Sequence, residues 1–544
     1  MTGKPAEPAS PKAAPESTAL TLSAWLDELA ARYAQHRAIC TRAATCSYAE
    51  LAAASRRVAC GLAQMGVNKG THVGILLPNG ADWLIAAWAS WRLGAVVVAL
   101  NTLWTARELE RALRIADVQV LIAATHFLRH DYRAALAGLG VPLDQRELFV
   151  PSLPALRTIL WWGDEVPEGA AGWNELACDE QRRSSWLEAI QQQCVPCERA
   201  AIFFTSGSEA EPKAVVHTHS SILAAARGIG ERLGIEEGDR SWAYLPLFFA
   251  GGLVAFALAT LGRGGTLLLQ PVFDADEAIS LMQEFGCTTF FAWPHQAEAI
   301  ARHPRFARNQ IGIRKGPGAQ ASWAGRIFAD GHCAVSSWGM TEAGPMASVS
   351  AWSDPAERRG GTHGRPLPGV EIRIVDPDSG HPLPPGAQGE VCIRGATVME
   401  TYYGRRWQDC FDEQGFFHTG DLGWLDAEGF FHFAGRRREV IKTAGVNVAA
   451  SEVEAILMEH PQVSLAVVVP VGDAERGETI AAFVVARGEP PAAEELTRFC
   501  RARLASYKVP RHFFFVRLEE LPSAGSGKYD KQALRRRAEQ LVGR

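Results

Sequence analysis

The chain has 544 residues, too many for one hydrophobic core, so at least two domains are expected. Its 47% hydrophobic and 21% charged residues are ordinary for a soluble globular protein. A balance of 55 basic against 60 acidic residues, net −5, argues against a general nucleic-acid binder.

Met1 to Ser17 is rich in Ala, Pro, Lys and Glu, and residues 1–18 read as a disordered tail. The pattern Leu20, Leu22, Trp25, Leu26 that follows contains Asp27 and Glu28, so it reads as a helix and not as a signal-peptide core. No apolar stretch approaches the ~18 residues needed to span a bilayer, and a cytoplasmic protein with no transmembrane segment is expected. Eleven cysteines are scattered, an odd number that suits a reducing compartment. Cys194 and Cys197 are the only close pair, and no second pair or histidine cluster completes a zinc site.

His72 to Leu77 predicts a strand ending at the Pro78-Asn79-Gly80 turn, followed by a helix over Ala81–Leu93 that stops at Gly94. Ala95 to Leu100 is the next buried strand, which completes a βαβ unit. The pattern recurs at Gly265–Leu269 and Thr288–Phe291, so the N-terminal part is expected to be α/β with mainly parallel sheets. Between the predicted strands Ala200–Phe204 and Ala214–Val216 lies Thr205-Ser206-Gly207-Ser208-Glu209-Ala210-Glu211-Pro212-Lys213, and Ser220 opens a helix. A hydroxyl- and glycine-rich turn ending in lysine suits polyphosphate, since backbone N–H groups and hydroxyls cradle oxygens and the lysine adds charge. It is not a Walker-type loop, because the second glycine before the lysine is missing.

Around Pro366 the texture changes. Val370–Val375 and Gly389–Arg394 alternate between Pro/Gly turns and predict an antiparallel, β-rich subdomain over about 360–434. After Phe433 a new unit begins, with Ser451 and Glu454 spaced as a capping box, strands over Leu465–Val469 and Thr479–Val485, and a helix over Pro491–Leu504.

Five motifs in order carry a family resemblance. They are the Thr205–Lys213 loop; Trp338-Gly339-Met340-Thr341-Glu342; Thr419-Gly420-Asp421; Gly435-Arg436-Arg437-Arg438-Glu439 through Lys442 and Gly445; and Tyr507-Lys508-Val509-Pro510 with Ser526-Gly527-Lys528. The chain resembles the adenylate-forming superfamily of acyl-CoA synthetases, luciferases and peptide-synthetase adenylation domains, most of all a fatty or aryl acyl-CoA ligase. The resemblance implies a large domain over 19–434, a hinge at 435–439 pivoting on Arg438, and a small mobile α+β domain over 440–544. It also implies an ATP-dependent acid–thiol ligase: a carboxylate becomes acyl-AMP, then CoA, or the phosphopantetheine of an acyl carrier protein, displaces AMP. A non-catalytic, ligand-binding relative is the third reading.

The motifs make chemical sense for that reaction. The attacking carboxylate is already anionic, so the site must hold two anions together and neutralise charge, with no general base. Glu342 suits Mg²⁺ held against phosphate oxygens. By resemblance Lys528 is the adenylation lysine, with Thr341 beside Glu342 in the catalytic motif. The nucleotide is assigned to Thr205, Ser206, Gly207, Ser208, Lys213, Gly318, Ala319, Gly339, Met340 and Thr341. Trp338 would stack on adenine, Asp421 would accept bonds from ribose hydroxyls and Arg436 would contact the ribose. Phe249, Trp293 and Gly339 would line the acyl pocket, and Lys442, Gly445 and Asn447 the loop for thiol transfer.

Two departures matter. The loop carries Ser208-Glu209-Ala210 where the family has Thr-Thr-Gly, and Ala214 replaces the glycine after the lysine. Phe249 stands where many acyl-CoA synthetases have histidine, and no acidic residue is placed to meet an α-amine, so fatty or aryl acids are favoured over amino acids. A like charge at about 4 Å costs on the order of 1 kcal/mol in water and more at lower dielectric, so Glu209 should weaken the grip on triphosphate. The double replacement Glu209→Thr with Ala210→Gly is expected to raise turnover in an ATP–pyrophosphate exchange assay. Inactivity of both forms would favour the binding reading.

Overall fold

The computed structural model describes residues 20–176, 180–205, 212–319, 321, 323–329, 333–436, 440–443, 445–524, 528–529 and 531–543. The N-terminal part is built on two large sheets. One has eight strands in the order Thr401–Tyr402, Lys213–Thr218, Arg199–Thr205, Val96–Ala99, His72–Leu76, Val120–Ala124, Thr158–Trp162, Ala171–Gly172. From Arg199–Thr205 to Ala171–Gly172 all neighbours are parallel, whereas Lys213–Thr218 and Thr401–Tyr402 run antiparallel at one edge. The second has seven strands and is parallel except where Arg37–Cys40 meets Thr45–Ser47.

The βαβ expectation holds. The central strands are apolar on both faces, as parallel strands covered by helices require. The helix Ala81–Arg92 is buried along most of its length and carries Trp83, Trp88 and Trp91, and the residue closing it, Gly94, has φ +68, a left-handed conformation that only glycine adopts without strain. Of the predicted close cysteine pair, Cys194 is buried and Cys197 exposed, both as free thiols.

After Leu367 the chain enters an antiparallel four-stranded sheet, Val370–Val375, Gly389–Gly395, Phe417–Leu425 and Phe431–Arg436, as the alternating pattern predicted. The C-terminal sheet has five strands: Val446–Ala449, Val440–Thr443, Gly477–Ala486 and Val463–Asp473, with His512–Phe515 added parallel to Gly477–Ala486. Its long central hairpin divides two cores by the alternation of a strand. Val468, Ile480, Ala482 and Val484 pack on Val453 and Leu496, while Val467, Val469, Ala481 and Phe483 pack on Leu521 and Leu534.

The helix at Ser451 runs Ala450–Met458, so Ser451 lies inside it, and Glu454 accepts from Val468 N (2.8 Å) and Lys531 Nζ (2.6 Å).

Two histidines at the Lys213–Thr218 strand and the helix after it, His219–Arg232, are fully enclosed. His217 Nε2 donates to the Thr341 carbonyl (2.8 Å), and His219 Nδ1 accepts from Leu22 N (3.2 Å). Burial pushes both rings down to about 4 from the ordinary 6.5, so the folded protein holds them neutral. A depressed histidine leaves stability intact above pH 6.5, and the loss grows as pH falls towards 4 because only the unfolded chain takes up protons. Thermal unfolding followed from pH 7 to pH 5 is expected to show a loss of roughly 2 kcal/mol per histidine. His219→Asn, which keeps an acceptor for Leu22 N–H, should remove about half of that slope; a flat profile would contradict the assignment.

Candidate active site

The site grows from the strand Lys213–Thr218. Alternation puts Lys213, Val215 and His217 on one face, and that face receives the turn Thr341–Ala343. His217 grips this turn through the Thr341 carbonyl. On the strand's open edge Tyr402 pairs with Val215, which places its ring 5.1 Å from Lys213 Nζ. The Tyr402 hydroxyl donates to Glu342 Oε1 at 2.8 Å, and Glu342 is only 6% exposed. Burial, then the neighbouring Glu342, drives the Tyr402 phenol far above its usual range, so it stays a donor. The result is a fixed carboxylate and an ammonium within one aromatic contact of each other.

Asp421 sits on the strand Phe417–Leu425 opposite Arg436 and is 2% exposed. Trp338 Nε1 donates to its Oδ2 at 2.9 Å. Trp338 is 6% exposed, with Phe431 4.7 Å from it centre to centre. Its visible work is to orient Asp421. Met340 packs beside it, and Gly339 has no room for a side chain, since a Cβ would stand 2.3 Å from the Pro345 carbonyl.

The third wall is aromatic. The Phe249 amide donates to the Pro246 carbonyl at the mouth of a π-helical segment, Gly251–Leu258, a geometry frequent at functional sites. Phe249 lies 4.6 Å from Phe248 and 6.1 Å from Trp293. Gly318 has φ +120 and lies against Trp323, while the amides of Gly318 and Ala319 both bond the Val335 carbonyl. Gly445, at φ +80, is lodged against Trp293, where an added Cβ would come within 2.4 Å of the ring. A narrow cleft of about 50 Å³ passes Trp104, Thr205, Pro212, Phe249 and Val446. Residues 445–446 of the C-terminal sheet therefore reach into the same place as Phe249 and Thr205.

Other expected residues fall elsewhere. Lys528 lies on a short hairpin, Ser523–Ala524 with Lys528–Tyr529, whose Tyr529 joins the Leu521–Leu534 core. That core covers the face of the C-terminal sheet opposite the one on which Tyr507 packs, and Tyr507 also touches the large N-terminal core. The Lys442 amide donates to Glu478 (2.9 Å), its ammonium lies 5.5 Å from the Phe433 ring, and its backbone pairs with Asn447. Ser206, Gly207, Ser208 and Arg438, and the side chains of Arg436, Asn447 and Lys528, lie outside the described residues.

Sequence reasoning missed Tyr402 and His217. Nothing local marks either; the signal is tertiary, a two-residue strand added to an edge and an imidazole enclosed beneath a turn.

Comparison with known proteins shows the family. Residues 26–403 match the model of the AMP-binding enzyme family and residues 452–528 that of the AMP-binding enzyme C-terminal domain. A feruloyl-CoA synthase from Amycolatopsis is 32% identical over 502 residues, covering 90% of this chain and 94% of that protein. The o-succinylbenzoate CoA synthetase of Bacillus subtilis, bound to a product analogue, superposes with a TM-score of 0.74 at 27% identity over 94% of this chain and 98% of its own. The amide bond synthetase McbA of Marinactinospora thermotolerans gives 0.78 at 26% identity, covering 94% and 99%. The chain belongs to the AMP-binding enzymes of the adenylate-forming superfamily and is of the acyl- and aryl-CoA ligase type.

Proposed function

We propose that this enzyme activates a fatty or aryl acid in two steps at one site. The carboxylate oxygen attacks the α-phosphorus of ATP, giving acyl-AMP and releasing pyrophosphate; the thiol of CoA then attacks the acyl carbon and AMP leaves. The observation that carries the reading is Gly445 lodged against Trp293, which brings the loop assigned to thiol transfer to the aromatic wall assigned to the acid.

Lys213 supplies positive charge to phosphate oxygens, and Asp421, oriented by Trp338, accepts from ribose hydroxyls. Glu342 fits Mg²⁺: magnesium prefers a carboxylate with water and phosphate oxygens, and with Oε1 held by Tyr402, Oε2 takes no hydrogen bond among the described residues. When bound there, the metal adds positive charge against the phosphates. Phe249 and Trp293 enclose the reacting carboxylate and keep water away from the acyl-adenylate. The small domain must turn to exchange Gly445 for Lys528, and the hinge at 435–439 with Arg438 is the place for that turn. The absence of an acidic partner for an α-amine and the feruloyl-CoA synthase relative both favour an aryl or fatty acid.

Acid-dependent ATP–pyrophosphate exchange across a panel of fatty and aryl acids tests the first step, and mass-spectrometric detection of acyl-CoA tests the second. Exchange without CoA consumption would redirect the second step to a carrier protein or an amine; ATP binding without exchange would end the ligase reading. Glu342→Gln is expected to lower exchange by roughly a hundredfold or more, as loss of a charge-positioning group does. Gly445→Val meets both a positive φ and the Trp293 ring, so acyl-CoA formation should fall at least about tenfold while exchange persists. Equal loss in both half-reactions would contradict the assignment of that loop.

A further inference from the structure

We propose that Glu108 is a positioning residue for thiol transfer, a latch that holds the small domain in the arrangement in which Gly445 meets Trp293. The inference rests on the two-step reading above and adds to it the contact that sets the balance between the steps.

Glu108 divides its two oxygens between the domains. Oε2 accepts from Thr105 N (2.9 Å) and Thr105 Oγ1 (3.0 Å), closing the capping box of the helix Ala106–Ile115. Oε1 turns outward and accepts from the Ala505 amide and Lys508 Nζ, both at 3.2 Å and nearly four hundred residues away in sequence. Lys508 is held from its own domain by Glu452 at 2.9 Å. The three side chains are 11%, 7% and 12% exposed. Beside them Asn101 Nδ2 donates to the Tyr507 hydroxyl at 3.2 Å. Arg107 pairs with Glu459 through two bonds, but both are about half exposed, and pairs of that kind contribute little.

A desolvated ion pair is a weak source of net stability and a strong source of geometry, because a partner misplaced by one bond leaves a charge buried alone. Here the large domain's member is already fixed by the helix cap. The small domain can therefore seat in one pose only, with Ala505 N–H and the Lys508 ammonium both on Oε1. A rotation that carries Lys528 towards Glu342 must part residues 503–508 from 101–108. Making and breaking this latch is then a built-in part of the alternation between steps.

Glu108→Gln and, separately, Tyr507→Phe are compared with the parent protein in three readouts: ATP–pyrophosphate exchange, single-turnover acyl-CoA formation, and backbone hydrogen exchange over residues 503–509. Tyr507→Phe leaves the helix cap untouched and guards against a folding defect in the first variant. The latch predicts exchange of pyrophosphate within about twofold of the parent, thioester formation down roughly tenfold for Glu108→Gln and severalfold for Tyr507→Phe, and faster hydrogen exchange at 503–509 in both. It is overturned if the two half-reactions fall together, or if thioester formation and hydrogen exchange at 503–509 stay at the parent's level. If no acid supports pyrophosphate exchange by the parent, the ligase reading fails, and hydrogen exchange at 503–509 still decides whether Glu108 holds the domain.

Discussion

The antiparallel strand Lys213–Thr218 is the constraint on which the rest of the site depends. It pairs with Arg199–Thr205 on one side and receives Thr401–Tyr402 on the other, so it joins the large parallel sheet to the region carrying Glu342 and Asp421. Because side chains alternate, one face of this six-residue strand delivers a lysine, an apolar packing residue and a histidine in that order. Each meets a different piece of the site: Lys213 the Tyr402 ring, Val215 the core around Trp338, and His217 the carbonyl of Thr341. Shifting the register by one residue would turn all three away at once.

Burial sorts the polar groups of this region into two kinds. His217 and Tyr402 are enclosed and held uncharged, so their hydrogen bonds fix geometry without adding a field. Charge is left to Lys213, Glu342 and Asp421, the groups proposed to meet the nucleotide and its metal. That division suits a reaction whose attacking group is already an anion: the protein needs placed charges and rigid supports, and no proton relay. The same logic extends across the domain boundary, where Glu108 serves a helix cap and a partner ammonium with one side chain.

Much of this was legible in the chain. The apolar runs and glycine stops announced the parallel sheets because those strands are buried on both faces, and the alternating runs after Pro366 announced the antiparallel sheet. Motif order is what singles out Glu342, Asp421, Lys213 and Gly445 as one proposed site. The rest was not legible for one physical reason, which is that local patterns do not reveal tertiary partners. Ser451 and Glu454 have the spacing of a cap, yet Glu454 is taken by Val468 and Lys531. The bond from the Trp338 N–H to Asp421 is likewise invisible in the motif, since the two residues are 83 positions apart. The partner of Glu108 lies in the other domain, where no local pattern reveals it.

The central claim is that one site, bounded by Lys213, Glu342, Asp421 and the Phe249–Trp293 wall, holds an acyl-adenylate. A crystal structure with a non-hydrolysable acyl-adenylate analogue tests it most directly. The account predicts the phosphate beside Lys213 and Glu342, the ribose hydroxyls on Asp421 and the acyl group against Phe249 and Trp293. An analogue bound elsewhere, or bound there with its ribose away from Asp421, would contradict it.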